Sequence, residues 1–227
     1  MQNIGTDEKF TARREAMVRD QLVGRGIRDE LVLDAMRKVP RERFVPEMER
    51  AFAYNDGPLP IGAGQTISQP YIVALMTEAL QLKGGERVLE IGTGSGYAAA
   101  ILAEIAGEVF SVERVKELAD RAADTLRDQG YVNAHVRHGD GTLGWAERAP
   151  YDAIVVTAGG PKVPESLRQQ LAVGGRLVIP VGINPLFQNL VQVSRRSEER
   201  FDTTDLGAVR FVALVGEEGW HEGDAEF

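Results

Sequence analysis

The sequence predicts an α/β fold: a doubly wound, mostly parallel, Rossmann-like sheet with helices on both faces and an N-terminal helical extension. Three observations predict it. Apolar strand-like runs alternate with helical patterns from residue 70 onward, as repeated β-α-β units require. Residues 152–157 read as an almost unbroken apolar run, which suits a parallel strand covered on both faces. A glycine-rich stretch, Gly92-Thr93-Gly94-Ser95-Gly96, lies between one such strand and an Ala-rich helix. That is the position at which open α/β sheets bind their ligands.

The elements follow in order. A helix is expected over residues 8–23, with Met17, Val18 and Leu22 on one face. Leu31, Val32, Ala35, Met36 and Val39 form the stripe of a second helix, which Pro40 stops. Residues 57–70 carry too many Pro and Gly for a long regular element. They also hold Leu59, Ile61 and Ile67, so a shaped, partly buried loop is expected rather than a solvated linker. Pro70 suits the first position of a third helix, with Ile72, Val73, Met76, Ala79 and Leu80 as its apolar face. Strands are then predicted at 87–91, 109–112, 134–137, 152–157 and 176–180. Helices are predicted at 97–106, 115–129 and 164–171. Residues 183–227 hold two further strand-like runs and an acidic tail. Glu217 to Trp220 are expected as a frayed end rather than a flap.

At 227 residues the chain suits one or two domains. The expected organisation is residues 1–69 as a helical extension and substrate loop, and 70–227 as the ligand-binding core of the same domain. Composition is that of an ordinary globular protein, 43% hydrophobic and 26% charged. There is no Cys, which excludes disulfides, thiolate nucleophiles and Cys-ligated metal clusters. His135 and His138 fall on a predicted strand, where a spacing of three points the rings to opposite faces, so no metal site is expected. The net charge of −8 and the lack of any Lys/Arg run disfavour a nucleic-acid partner. No apolar stretch is long enough to span a bilayer, and residues 1–14 lack a signal-type apolar core. A cytoplasmic monomer without membrane attachment is the expectation.

The glycine stretch discriminates between ligands by its spacing. A dinucleotide fingerprint needs G-x-G-x-x-G, but the sixth position here is Tyr97 and the third Gly comes one place early, at Gly96. No Gly-Lys-Ser/Thr follows, so it is not a P-loop. What remains is Glu90, one spacer, and then Gly92, Gly94 and Gly96 in a G-x-G-x-G pattern. This resembles the first motif of the S-adenosylmethionine-dependent methyltransferases. Glu113, closing the second strand, can accept both ribose hydroxyls; it can equally be a first-turn acid of the next helix. Asp140, with Gly141 after the third strand, can accept from the adenine amino group or simply form an Asp-Gly turn. An acidic lining also suits a cationic sulfonium.

Ser68 stands just before the helix that Pro70 opens. It reads either as a capping serine or as the hydroxyl of an anion site at a helix start, which would take a carboxylate. Gln65 and Thr66 add polar groups to the same loop.

Pro60-Ile61-Gly62 and Gln65-Thr66-Ile67-Ser68-Gln69-Pro70 resemble the signature of the protein-L-isoaspartate O-methyltransferases. The resemblance extends over most of the chain, through Val39-Pro40-Arg41, Phe44-Val45-Pro46, Ala53-Tyr54, Gly139-Asp140-Gly141, Ala149-Pro150-Tyr151-Asp152 and Gly174-Gly175-Arg176-Leu177. It implies methyl transfer from S-adenosylmethionine to the free α-carboxyl of L-isoaspartyl residues in damaged proteins and peptides. The products are S-adenosylhomocysteine and an ester that collapses to a succinimide. No metal is implied. Carried over by position, Ser68 takes the active-site serine, and Glu90, Gly92, Gly94, Gly96, Glu113, Asp140 and Gly141 take cofactor positions. Gln65 and Thr66 lie beside them. The chain departs from the family at Thr157-Ala158-Gly159-Gly160, where Thr-Ala-Ala is usual, and at Phe211-Val212-Ala213-Leu214, where Pro usually replaces the Ala.

Such a reaction needs no thiol or imidazole base. A carboxylate with a pKa near 4 is already an ionised nucleophile at neutral pH, so positioning and exclusion of water suffice. Ser68 is therefore expected to orient rather than attack, and Ser68→Ala to lower turnover by roughly 10–100-fold. Two alternatives stay open: a carboxyl methyltransferase for a small-molecule acid, and a cofactor-binding module without transfer activity.

Overall fold

The computed structural model describes residues 4–184 and 186–224. Helix α1 (Ile4–Ala16) runs on as a π-helical turn over Met17–Leu22 and a 3₁₀ turn over Val23–Arg25, ending at the left-handed Gly26. Met17, Val18 and Leu22 are buried on that turn. Helix α2 (Glu30–Lys38) starts where the Asp29 carboxylate accepts from the Leu31 amide at 2.9 Å. Its buried face is Val32, Leu33, Ala35 and Met36, and its last turn carries Arg37 and Lys38.

The Pro/Gly-rich stretch, expected as a loop, holds a short antiparallel hairpin of β1 (Leu59–Gly62) and β2 (Gln65–Ile67). A two-stranded ribbon leaves one edge of each strand free, so Pro60 is tolerated there. Ile61 and Ile67 are buried and tie the hairpin to the body of the protein. Helix α3 (Pro70–Leu80) follows, with Pro70 in its first turn as expected.

The rest alternates: β3 (Arg87–Ile91), α4 (Tyr97–Ala103), β4 (Glu108–Glu113), α5 (Lys116–Asp128), β5 (Ala134–His138), β6 (Tyr151–Val156), α6 (Glu165–Gln170), β7 (Leu171–Asn184), β8 (Phe187–Arg195) and β9 (Phe201–Val209). One seven-stranded sheet has the order β5-β4-β3-β6-β7-β8-β9. The first five strands in that order are parallel, and β8 and β9 are antiparallel. Strand β7 is much longer than expected because β8 pairs back along it from Arg176 to Asn184. The chain reverses direction of travel at β3, between β4 and β6, which opens a crevice at their carboxyl ends.

Two apolar layers flank the sheet. One joins Met17, Leu22, Val32 and Met36 of the extension to Val73, Leu80, Tyr97 and Leu102. The other packs Leu89, Phe110, Ile154, Leu167 and Leu177 together. On β5, His135 stacks against Phe110 at 5.2 Å between centroids, and His138 Nε2 sits 3.1 Å from the Arg114 carbonyl. Among the described residues no group of three or more His, Asp or Glu is placed to hold a metal ion.

The C-terminal tail corrects one expectation: it is docked, not frayed. The Trp220 amide donates to the Leu214 carbonyl at 2.8 Å, and its indole Nε1 donates to the Gly159 carbonyl at 2.9 Å. The Glu218 carboxylate accepts from the Ser166 amide and hydroxyl at 3.0 and 2.6 Å. Ser166 lies 52 residues from Glu218 and Gly159 lies 61 from Trp220, separations that local patterning does not reveal.

Candidate active site

The glycine loop leaves β3 and turns into α4 through three residues with positive φ: Gly92 at 94°, Gly94 at 56° and Gly96 at 86°. Only Gly visits this region readily. Close packing adds a second requirement at Gly92, where a Cβ would lie 2.5 Å from Thr157 Oγ1. Gly96 serves packing instead: a Cβ there would press on Ala122 and Leu126 of α5.

The acidic residues take distinct places. Glu113, at the end of β4, accepts from the Gly94 amide through Oε2 at 2.8 Å and from the Val115 amide through Oε1 at 2.9 Å. It holds the turn that leads into α5 and clamps the glycine loop. A carboxylate has about four acceptor sites, so two remain for a ligand. Glu90 lies beneath the loop, fully buried. Its Oε2 accepts from Ser111 Oγ at 2.5 Å, and Ser111 in turn meets Thr93 Oγ1 at 2.5 Å. Burial pushes the Glu90 carboxyl up to about 8, with the nearby Glu113 charge adding to the rise and the Ser111 hydrogen bond opposing it. Asp140 caps the short turn after β5: Oδ1 accepts from the Thr142 amide and hydroxyl, and Oδ2 accepts from the tail amide of Glu217 at 2.8 Å.

Three connected spaces surround this loop. The first, about 600 Å³, is lined by Gln65, Gly92, Gly94, Glu113, Gly141 and the tail residue Leu214, among others. The second, about 540 Å³, runs under the loop past Ser68, Met76, Ser95 and Tyr97. The third is an open groove of about 1770 Å³ between the α3 start and the β9 side, bordered by Ser68, Tyr71, Ile72, Val209, Arg210 and Phe211. Thr66 and Thr157 line all three, so they mark the junction.

Ser68 is at the wall between the second and third spaces. It does not cap α3, because the residue at the N-cap is Gln69 and no side chain caps that end. The Ser68 hydroxyl has no protein partner among the described residues; only its backbone carbonyl is bonded, to Arg41. Ser68 thus borders the junction with a hydroxyl that no described protein group holds.

The structure therefore brings Gln65, Thr66, Ser68, Gly92, Gly94, Glu113 and Gly141 to one connected cleft. It places Glu90 under the loop, Gly96 against α5, and the Asp140 side chain on a neighbouring groove with Arg114, His138 and Trp220. Sequence reading missed Thr157, whose hydroxyl donates to the Gly92 carbonyl at 2.8 Å, and the tail residues 212–215 that close the first space. The Thr157 position was visible only as the start of a departure from the usual pattern.

The first space suits a nucleoside with a cationic sulfonium. Ile91, Val112 and Leu214 offer apolar contact for a base, Glu113 offers acceptors for hydroxyls, and the side-chain-free surface at Gly92 and Gly94 allows close approach.

Comparison with known proteins agrees with this geometry. Residues 12–219 match the family model described as protein-L-isoaspartate(D-aspartate) O-methyltransferase (PCMT). The chain is 62% identical over 211 residues to protein-L-isoaspartate O-methyltransferase 1 of Rhodopseudomonas palustris strain HaA2, covering 93% of this chain and 86% of that one. It is also 62% identical over 208 residues to protein-L-isoaspartate O-methyltransferase 2 of Pelobacter propionicus, covering 92% of each. Among solved structures, a protein-L-isoaspartate O-methyltransferase superposes with a TM-score of 0.82 at 31% identity, over 91% of this chain and 67% of its own. A Plasmodium falciparum chain solved in complex with S-adenosyl-L-homocysteine superposes with a TM-score of 0.77 at 28% identity, over 89% and 98%.

Proposed function

The chain belongs to the protein-L-isoaspartate(D-aspartate) O-methyltransferase family, and on that premise we propose how its residues divide the work of the reaction. It is an S-adenosylmethionine-dependent protein carboxyl methyltransferase, acting on the free α-carboxyl of L-isoaspartyl residues. When bound, S-adenosylmethionine supplies a sulfonium methyl whose leaving group is a neutral thioether.

Glu113 holds the ribose hydroxyls with the acceptor sites that Gly94 and Val115 leave free. Gly92 and Gly94 let the ligand approach the backbone, and Gly141 with Leu214 borders the base. Thr66 and Gln65 line the side of the cleft that faces the hairpin. Glu90 supports the site from below through Ser111 and Thr93 rather than by touching the ligand. Asp140 holds the tail at Glu217 and reaches the adenine edge only through that closure.

Ser68 orients the substrate carboxylate at the junction. The start of α3 lies directly after it and favours the negative charge. An ionised carboxylate held there would need no proton removed before taking the methyl group from a bound sulfonium, so Ser68 would have only to align it. Chemistry of this kind gains most from alignment and exclusion of water.

The observation that carries this reading is the position of Ser68, with its hydroxyl unclaimed, between the enclosed space and the open groove. The groove favours a peptide acceptor, since it runs on from Ser68 past Tyr71, Ile72 and Phe211, where an extended chain flanking the isoaspartyl residue can lie. Damaged proteins and peptides are thus the substrates in this reading, and no described helix is long and apolar enough to cross a membrane. The test is methyl transfer to an isoaspartyl peptide, with its aspartyl isomer and a small dicarboxylic acid as controls. Transfer to the isoaspartyl peptide alone supports the reading. Transfer only to the small acid, or cofactor binding without transfer, overturns it.

A further inference from the structure

Arg41 is the largest wholly buried side chain among the described residues. It sits on a 3₁₀ turn (Arg41–Arg43) immediately after Pro40, far in sequence from the cleft. Its Nε donates to the Ala53 carbonyl at 2.7 Å, and its Nη2 donates to the Ser68 carbonyl at 2.8 Å. The guanidinium lies over the Tyr97 ring, 4.7 Å from the centroid, and Tyr97 lines the enclosed space together with Ser68.

A buried guanidinium is expensive unless its charge and donors are used. Among the described residues Arg41 forms no ion pair. The adjacent Glu42 carboxylate is taken by the Tyr54 hydroxyl and lies near Arg14 instead. Among the described residues Nη1 has no hydrogen-bond partner. A residue retained only for stability would do better as a hydrophobe of similar volume. What Arg41 supplies that a hydrophobe cannot is a planar fork that reaches two backbone carbonyls while stacking on a ring. One of those carbonyls belongs to the residue whose hydroxyl faces the reaction.

We infer that Arg41 is the positioning residue for Ser68. It pins the backbone at Ser68 from behind, against Ala53 and the Tyr97 ring, so that the Ser68 hydroxyl is presented to the junction. The inference rests on the proposed role of Ser68 in orienting the substrate carboxylate. Lys at this position keeps the charge but loses the fork and the stacking, and Gln keeps one donor group without the charge.

The test is a double-mutant cycle on kcat/KM for an isoaspartyl peptide, using wild type, Arg41→Lys, Ser68→Ala and the double variant. S-adenosylhomocysteine affinity is measured for each by calorimetry. Residues that act as a unit give losses that do not multiply. The expected result is a loss of about 10-fold in Arg41→Lys, a change of less than about twofold in S-adenosylhomocysteine affinity, and no further loss when Arg41→Lys is added to Ser68→Ala. Losses that multiply overturn the inference and leave the reading of Ser68 intact. Full activity in Ser68→Ala overturns the reading of Ser68, and the inference falls with it. Arg41→Gln is run alongside. If both Arg41 variants lose S-adenosylhomocysteine binding, Arg41 belongs to the fold at large and the inference is overturned.

Discussion

Glu113 Oε2 lies 2.8 Å from the backbone nitrogen of Gly94, so the acid that ends β4 holds the glycine loop that leaves β3. One carboxylate thus fixes the shape of the cleft and supplies acceptors inside it. The sheet makes this possible, because β3 and β4 are parallel neighbours whose carboxyl ends meet at the crevice.

Replacing Glu113 with Gln should therefore weaken the ligand more than the fold. The amide keeps the size but loses the charge on hydrogen bonds worth roughly 1.5–3 kcal/mol. S-adenosylhomocysteine affinity is expected to fall about 10–150-fold by calorimetry. An affinity within twofold of wild type would remove Glu113 from the ligand contacts.

Gly92 and Gly64 give a paired test of the loop. Both have positive φ, 94° and 69°, but a Cβ at Gly92 meets Thr157 Oγ1, whereas at Gly64 nothing lies within 4 Å. Gly64→Ala should cost about 1 kcal/mol. Gly92→Ala should cost up to about 3 kcal/mol, or roughly 3–10 °C in Tm, and should weaken S-adenosylhomocysteine binding. Adding Thr157→Ala should recover part of the Gly92→Ala loss, since it removes the collision but not the backbone strain. Equal melting temperatures for the two Gly variants would count against a close approach at Gly92.

Glu90 makes stability depend on pH. Burial holds its carboxyl at about 8 in the folded protein, against an ordinary value of 4.5. Between those values the folded chain keeps a proton that the unfolded chain releases, so stability falls as pH rises from about 4.5 to about 8 and is flat above. Below 4.5 both states are protonated and the group adds no slope. Glu90→Gln removes the titration. The gap in Tm between wild type and variant should shift in favour of the variant with rising pH, by at most roughly 3–5 °C per pH unit. Parallel Tm curves from pH 5 to 8 would show that Glu90 titrates at its ordinary value.

The fold was legible where one residue type answers one local demand. Pro70 at a helix start, the Gly92–Gly96 turn and the apolar strand at 152–157 all appear where the sequence places them. That Ser68, Glu113 and the glycine loop would come together was legible because each stands where a strand meets the start of a helix. Glu90 stands in the motif beside the glycines, and its burial beneath the loop on Ser111 was not legible, because that partner comes from the neighbouring strand. Thr157, Arg41 and the tail were hidden because their partners are distant: Thr157 acts on Gly92, Arg41 on Ser68, and Glu217 on Asp140. The hairpin at 59–67 was hidden because its Pro and Gly residues argue against a strand except at a sheet edge or a bulge, and both conditions hold here.

The docked tail closes the first space, so loosening it should weaken the ligand without altering the reaction. Trp220 is its anchor: the indole donates to the Gly159 carbonyl and the amide to the Leu214 carbonyl, while Leu214 itself lines the cleft. Gly159 is one of the positions where the chain departs from the usual pattern, and its Cα borders the Gln188 side chain so tightly that a Cβ would collide with it. Trp220→Ala removes the indole bond and its packing, and the tail amide of Glu217 should then leave Asp140 more often. The measurements are hydrogen exchange at the Glu217 and Glu218 amides and S-adenosylhomocysteine affinity by calorimetry. Exchange should accelerate and affinity should fall about 5–20-fold, with kcat at saturating cofactor changed less than twofold. Faster exchange with unchanged affinity would mean that the tail covers the cleft without contributing to what binds there.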